Sequence, residues 1–113
     1  MSTNAFTPTG NTVVFTAANP APTPIQVNTN GAGANQYRFI NTGTITVFVG
    51  IANTSANAAA NATSAFIGTG NTAPCIPLLP GTDEILTFLP NAYVTGNTAS
   101  GIATVYVTPG DGL

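Results

Sequence analysis

A chain of 113 residues has room for one domain with a single core and no second module. Arg38, Asp83, Glu84 and Asp111 are its entire charge inventory, 4% of residues and a net charge of −2, with neither Lys nor His. That excludes histidine acid–base chemistry, lysine Schiff bases, His-ligated zinc and Lys-dependent phosphate loops, and one cation cannot hold nucleic-acid phosphates or an anionic membrane.

In place of charge the chain carries 20 Thr, 17 Ala, 13 Asn, 12 Gly and 9 Pro, while 43% of its residues are hydrophobic. Disordered chains combine low hydrophobicity with high net charge, so this one is expected to fold. Cys75 stands alone and cannot close an intramolecular disulfide.

Residues 1–10, with Phe6 and Thr7-Pro8-Thr9-Gly10, lack periodicity and are expected to form an extended arm that leaves Phe6 mobile or buries it on a neighbour. The opening residues have no positive segment and no apolar run of the export type, so the product is expected to be made and kept in the cytosol. Residues 11–113 are expected to form one β domain. Candidate strands are Thr12 to Ala17, Ile25 to Asn28, Gln36 to Ile40, Thr44 to Ile51, Glu84 to Leu89, Ala92 to Thr95 and Ile102 to Val107. The clearest is Thr44 to Ile51, where Ile45, Val47, Val49 and Ile51 alternate with Thr44, Thr46, Phe48 and Gly50. With Gln36 to Ile40 and the intervening Asn41-Thr42-Gly43 it reads as a β-hairpin whose core is Phe39, Ile45, Val47 and Val49. Residues 52–73, rich in Ala, Asn and Thr, read as a long contact loop with at most one helical turn, because nothing large and apolar anchors a helix. Turn signals fall at Asn19-Pro20, Asn30-Gly31, Pro80-Gly81, Pro90-Asn91, Gly96-Asn97 and Pro109-Gly110. Seven or eight short strands with such punctuation predict an all-β, jelly-roll-like or other antiparallel sandwich.

The candidate contact residues are Phe6, Arg38, Asp83 and Glu84; no catalytic, cofactor-binding or metal-binding residue is expected. Arg38 lies between Tyr37 and Phe39, opposite their aromatic face, and is the natural partner of Asp83 or Glu84, within one subunit or between two. Asp83 and Glu84 are adjacent, so in a strand they point to opposite faces and do not pair as acid and base. Cys75 has no His to activate it and reads as a small buried hydrophobe. Gly31-Ala32-Gly33 and Gly68-Thr69-Gly70 lack the strand-to-helix setting of phosphate loops and read as turns.

In Gln36-Tyr37-Arg38-Phe39-Ile40-Asn41-Thr42-Gly43-Thr44-Ile45-Thr46-Val47-Phe48-Val49, in Ile76-Pro77-Leu78-Leu79-Pro80-Gly81-Thr82-Asp83-Glu84 and in Ile102 to Gly112, the sequence resembles small virion proteins of tailed bacteriophages, in particular their capsid decoration, or cement, proteins. The resemblance implies a structural protein, not an enzyme, that assembles as a dimer or trimer on the outside of an icosahedral shell. There it would bridge capsomers of the major capsid protein and resist internal DNA pressure. Localisation on the virion exterior after synthesis in the host cytoplasm follows from the same resemblance. The alternative is a receptor- or carbohydrate-binding β-module, for which Tyr37, Tyr93 and Tyr106 are the available aromatic platforms. A Thr-rich ice-binding face is a third possibility, for which only Thr42-Gly43-Thr44-Ile45-Thr46 supplies a regular run.

Overall fold

The computed structural model describes residues 6–28, 35–63 and 75–111. They form nine strands and one helix: β1 (Thr7–Pro8), β2 (Val13–Ala17), β3 (Ile25–Gln26), β4 (Gln36–Asn41), β5 (Val47–Ala52), α1 (Ser55–Thr63), β6 (Ile76–Leu78), β7 (Asp83–Thr87), β8 (Tyr93–Asn97) and β9 (Ala103–Asp111). The first sheet runs β2-β9-β4-β7, with β1 pairing the far end of β9 on the same side as β2, and the second runs β3-β8-β5-β6. All the strand pairings are antiparallel. Each sheet interleaves early and late strands in the order of an eight-stranded jelly roll, so the sequence expectation of an all-β sandwich holds.

Alternation on each strand supplies the core. Phe15 and Ala17 of β2, Tyr37 and Phe39 of β4, and Ala103, Val105 and Val107 of β9 point inward from the first sheet; Val47, Val49, Leu78 and Val94 meet them from the second. Gly96 of β8 also faces inward. A side chain there would lie 2.6 Å from Val47 and 2.9 Å from Phe15, so the position has room only for glycine.

Two polar side chains on the inner face of β4 fasten its two ends. At one end the buried Tyr37 hydroxyl donates to the Leu89 carbonyl (2.5 Å) and accepts from the Ala92 amide (3.2 Å), joining the first sheet to the loop that leads into β8. At the other, the fully buried Asn41 donates through Nδ2 to the carbonyls of Ile45 (2.9 Å) and Leu78 (3.0 Å) and accepts from the Gly43 amide (2.9 Å). Both of these buried polar groups are thus paired, as burial requires.

Asn41 also explains the main correction to the sequence expectation. β4 and β5 are not a hairpin: β4 pairs β7 and β9, whereas β5 pairs β6 and β8 in the opposite sheet. Thr44 to Thr46 lie outside the strand and form the corner by which the chain crosses between sheets, held by Asn41. A short Gly-containing connection fits both a hairpin and such a corner; the long-range partners of the strands decide.

Other expectations shift for equally local reasons. Residues 76–78 form a strand despite Pro77, because β6 is an edge strand whose outer side needs no amide donor. Pro109-Gly110 is not a turn but the continuation of β9, where the Pro109 carbonyl accepts the Thr9 amide (3.0 Å). The arm is partly a strand: Thr7 and Pro8 pair with Asp111 and Gly110. The remainder of residues 1–10 before Phe6 lies outside the described residues, as do Asn30-Gly31, Gly31-Ala32-Gly33 and Gly68-Thr69-Gly70.

Part of the expected 52–73 loop is helix. Thr54 caps α1, its Oγ1 accepting the Asn57 amide (3.2 Å) and its carbonyl the Ala58 amide (3.0 Å). No large side chain anchors this helix. Ala58 and Ala62, both buried, let its backbone descend onto Gly50 of β5, where a Cβ would lie 2.6 Å from the Ala58 carbonyl oxygen and from the Ala62 nitrogen. Asn61 adds a hydrogen bond to the Ile51 carbonyl (3.2 Å). Residues 64–73 lie outside the described residues.

Candidate functional site

The side chains of the first sheet that point away from the core form a face built in rows. Cross-strand register places Val14 beside Tyr106, Tyr106 beside Ile40, and Ile40 beside Asp83. On one side of that row run Thr12, Thr108, Arg38 and Ile85, with the Thr12 and Thr108 hydroxyls 2.8 Å apart. On the other side run Thr16, Thr104 and Thr42, the last hydrogen-bonded through both its amide and its hydroxyl to the Thr104 carbonyl. Val14 is 50% exposed and Tyr106 41% exposed. The two strands that build the centre have matching outward patterns, Thr-Xaa-Val-Xaa-Thr over 12–16 and Thr-Xaa-Tyr-Xaa-Thr over 104–108.

Charge at this face is confined to one edge. Arg38 Nη2 lies 2.5 Å and Nε 3.1 Å from Asp83 Oδ2, a diagonal cross-strand pair inside one subunit. Both partners are about half exposed, so the pair is worth at most about 1 kcal/mol. With Ile40, Gly81, Thr82 and Glu84 they line a shallow open depression of about 480 Å³. Glu84 is opposite Phe39 in register and so starts on the other face of β7, at the sheet edge. An inward-turned charge on an edge strand discourages further strand pairing. Phe6 joins the outer face: its half-buried ring occupies the place where a side chain of Gly110 would stand. The fold therefore gathers Phe6, Arg38 and Asp83 on one face, while Glu84 starts on the opposite face of β7 and borders the same edge depression.

A second apolar surface lies at one end of the sandwich. Hydrogen bonds tie together the connections there: Gly81 to Asn41, Thr98 to Ala18 and the Asn19 side chain to Ala99. Leu79 (59% exposed) and Ile102 (69% exposed) project from this end. The sequence named neither as a contact residue: Leu79 lies in a loop, and Ile102, read as the start of a strand, stands just before β9.

The three tyrosines do not share a surface. Tyr37 is core, Tyr93 lies half-buried on the outer side of the second sheet, and Tyr106 is on the outer side of the first. Burial pushes the Tyr37 phenol above its ordinary value, against a smaller lowering by the Ala92 amide. Cys75 is half-buried, not fully buried as the sequence suggests, and that burial raises its thiol and disfavours the nucleophilic thiolate. Among the described residues no three His, Cys, Asp or Glu side chains gather as a metal site, and no helix is long and apolar enough to cross a membrane.

Fold and surface together define a jelly-roll sandwich in which, among the described residues, one outer sheet face is uncovered at its centre and almost neutral. Compared with protein-family models, curated proteins and solved structures, the chain matches none.

Proposed function

We propose that this chain is a structural virion protein that decorates the outside of an icosahedral phage capsid and stabilises it by bridging capsomers of the major capsid protein. Bridging needs at least two contact surfaces on one rigid body. The observation that carries the proposal is their separation: an uncharged Thr and apolar sheet face around Tyr106, and an apolar loop end around Leu79 and Ile102. Large exposed apolar residues grouped on otherwise polar surfaces mark contact sites. The sequence resemblance to decoration proteins gives the shell as the partner, and the near-absence of charge means that attachment depends on shape and burial.

Cryo-electron microscopy of the phage particles that encode the chain tests this. Density for the jelly roll on the outer shell, over junctions between capsomers, is the expected result. A chain absent from purified particles, or enclosed within them, would overturn it. Attachment should also survive a rise from about 0.05 to 1 M sodium chloride, which shortens the screening length to about 3 Å.

A further inference from the structure

We propose that the open edge of β2 is a docking edge, on which an extended segment of the major capsid protein pairs as an added strand of the first sheet. The partner rests on the virion reading above; the place rests on a comparison of the edges of the two sheets. A sheet edge presents unpaired amides and carbonyls that invite another strand, and proteins guard such edges with charge, proline or shortness. Four of the five edge strands are guarded in this way. β7 carries Asp83 and Glu84, β6 carries Pro77, β3 is two residues long, and β1 is two residues including Pro8.

β2 is the exception. Its five residues, Val13-Val14-Phe15-Thr16-Ala17, hold neither charge nor proline, and four of them are the β-branched or aromatic types that suit strand pairing. Pairing with β9 uses the backbone groups of alternate residues, so the groups of the residues between them point to the open side. Among the described residues no backbone hydrogen bond reaches that side before Ala18, where the chain turns to the second sheet and the Ala18 carbonyl accepts the Thr98 amide (3.3 Å).

The surroundings of the edge set the chemistry of the added strand. On the outer side the exposed Val14 stands beside Tyr106, so the edge runs on into the face that the virion reading assigns to capsid contact. On the inner side Phe15 and Ala17 bring the core to the edge. A strand about 4.8 Å from β2 would set alternate side chains beside Val14 and beside Phe15. Arg38 lies two strands away on β4 and Asp83 three strands away on β7, so no charge at the edge could pair one on the added strand. The segment is therefore uncharged over about five residues and apolar on its inner side.

The experiment is hydrogen–deuterium exchange, read by mass spectrometry, of the full chain free in solution and co-sedimented with purified phage particles. On particles, the residue 13–17 amides that are not bonded to β9 should exchange at least tenfold more slowly, and the amides of residues 83–87 should be unchanged. Thr16→Lys, with an unchanged circular dichroism spectrum, should weaken co-sedimentation at least tenfold, whereas Thr87→Lys on β7 should leave it unchanged. A bound chain whose residues 13–17 exchange as they do when free, or wild-type binding by Thr16→Lys, overturns the docking edge and leaves the virion reading standing. Slowed exchange that appears without particles and grows with chain concentration assigns the edge to a second copy and overturns the proposal as well. A chain that does not sediment with the particles overturns both readings.

Discussion

The two sheets of this sandwich treat their outer faces in opposite ways. The second sheet has Gly50, Ala52, Thr95 and Asn97 on its outer side, all buried, with α1 lying over β5 and β8 and the Pro22 carbonyl accepting the Thr95 hydroxyl (2.7 Å). The first sheet has Val14, Tyr106, Ile40 and paired threonines on its outer side, and no element of the described chain covers its centre. Beneath α1 the outer side of the second sheet is small, with the larger Phe48 and Tyr93 half-buried beside it, whereas the first sheet carries Val14 and Tyr106 at its open centre. Val14 and Tyr106 stay large and exposed among the described residues, the mark of a contact surface.

The contrast is broken most severely at Gly50. Gly50→Leu drives a side chain into the backbone of α1 and should cost about 3 kcal/mol, roughly 10 °C in melting temperature, whereas Val14→Lys should stay within about 0.5 kcal/mol. Thermal melts of the two variants check this, and equal losses would show that the two faces do not differ. Asn41→Leu comes next: it removes three hydrogen bonds at the corner between the sheets and strands the Ile45 and Leu78 carbonyls, at a cost of about 2 kcal/mol by urea denaturation.

Tyr37 gives a smaller effect with a definite sign. Its phenol is raised in the folded state, so the unfolded chain ionises first; stability is fully present below the ordinary tyrosine value near pH 10 and is lost as pH rises toward the folded value. Tyr37→Phe should lose about 1 kcal/mol at neutral pH through the Leu89 and Ala92 bonds and should show a shallower alkaline decline. Melting midpoints between pH 8 and 11 measure both. The smallest effect is expected at the rim: Arg38→Gln should cost less than about 1 kcal/mol in the monomer, and 1 M salt should erase the difference.

The contrast between faces was only half legible in the sequence. Alternation exposed the inward sets, including Phe39, Val47 and Val49, because a strand buried on one face writes its pattern at period two. It also placed Arg38 outward and named Asp83 as one of two partners. The sheet in which each strand lies was not legible: Asn41-Thr42-Gly43 has the composition of a hairpin turn, and only the buried amide of Asn41 shows that it turns a corner. The helix over Gly50 was hidden for a related reason. Close approach of backbones is achieved by leaving side chains out, so Gly50, Ala58 and Ala62 signal packing by absence, whereas periodicity detects only residues that are large. The bare face was hidden too, since Thr-Xaa-Val-Xaa-Thr and Thr-Xaa-Tyr-Xaa-Thr lie about 90 residues apart and become one surface only when β2 pairs with β9.

The sharpest test of attachment by shape and burial, and not by charge, is co-sedimentation of the chain with its phage particles at about 0.05 and 1 M sodium chloride. The chain is expected to sediment with the particles at both salts, because its surface carries almost no charge to screen. A chain absent from the particles at low salt, or released on raising the salt, would contradict it.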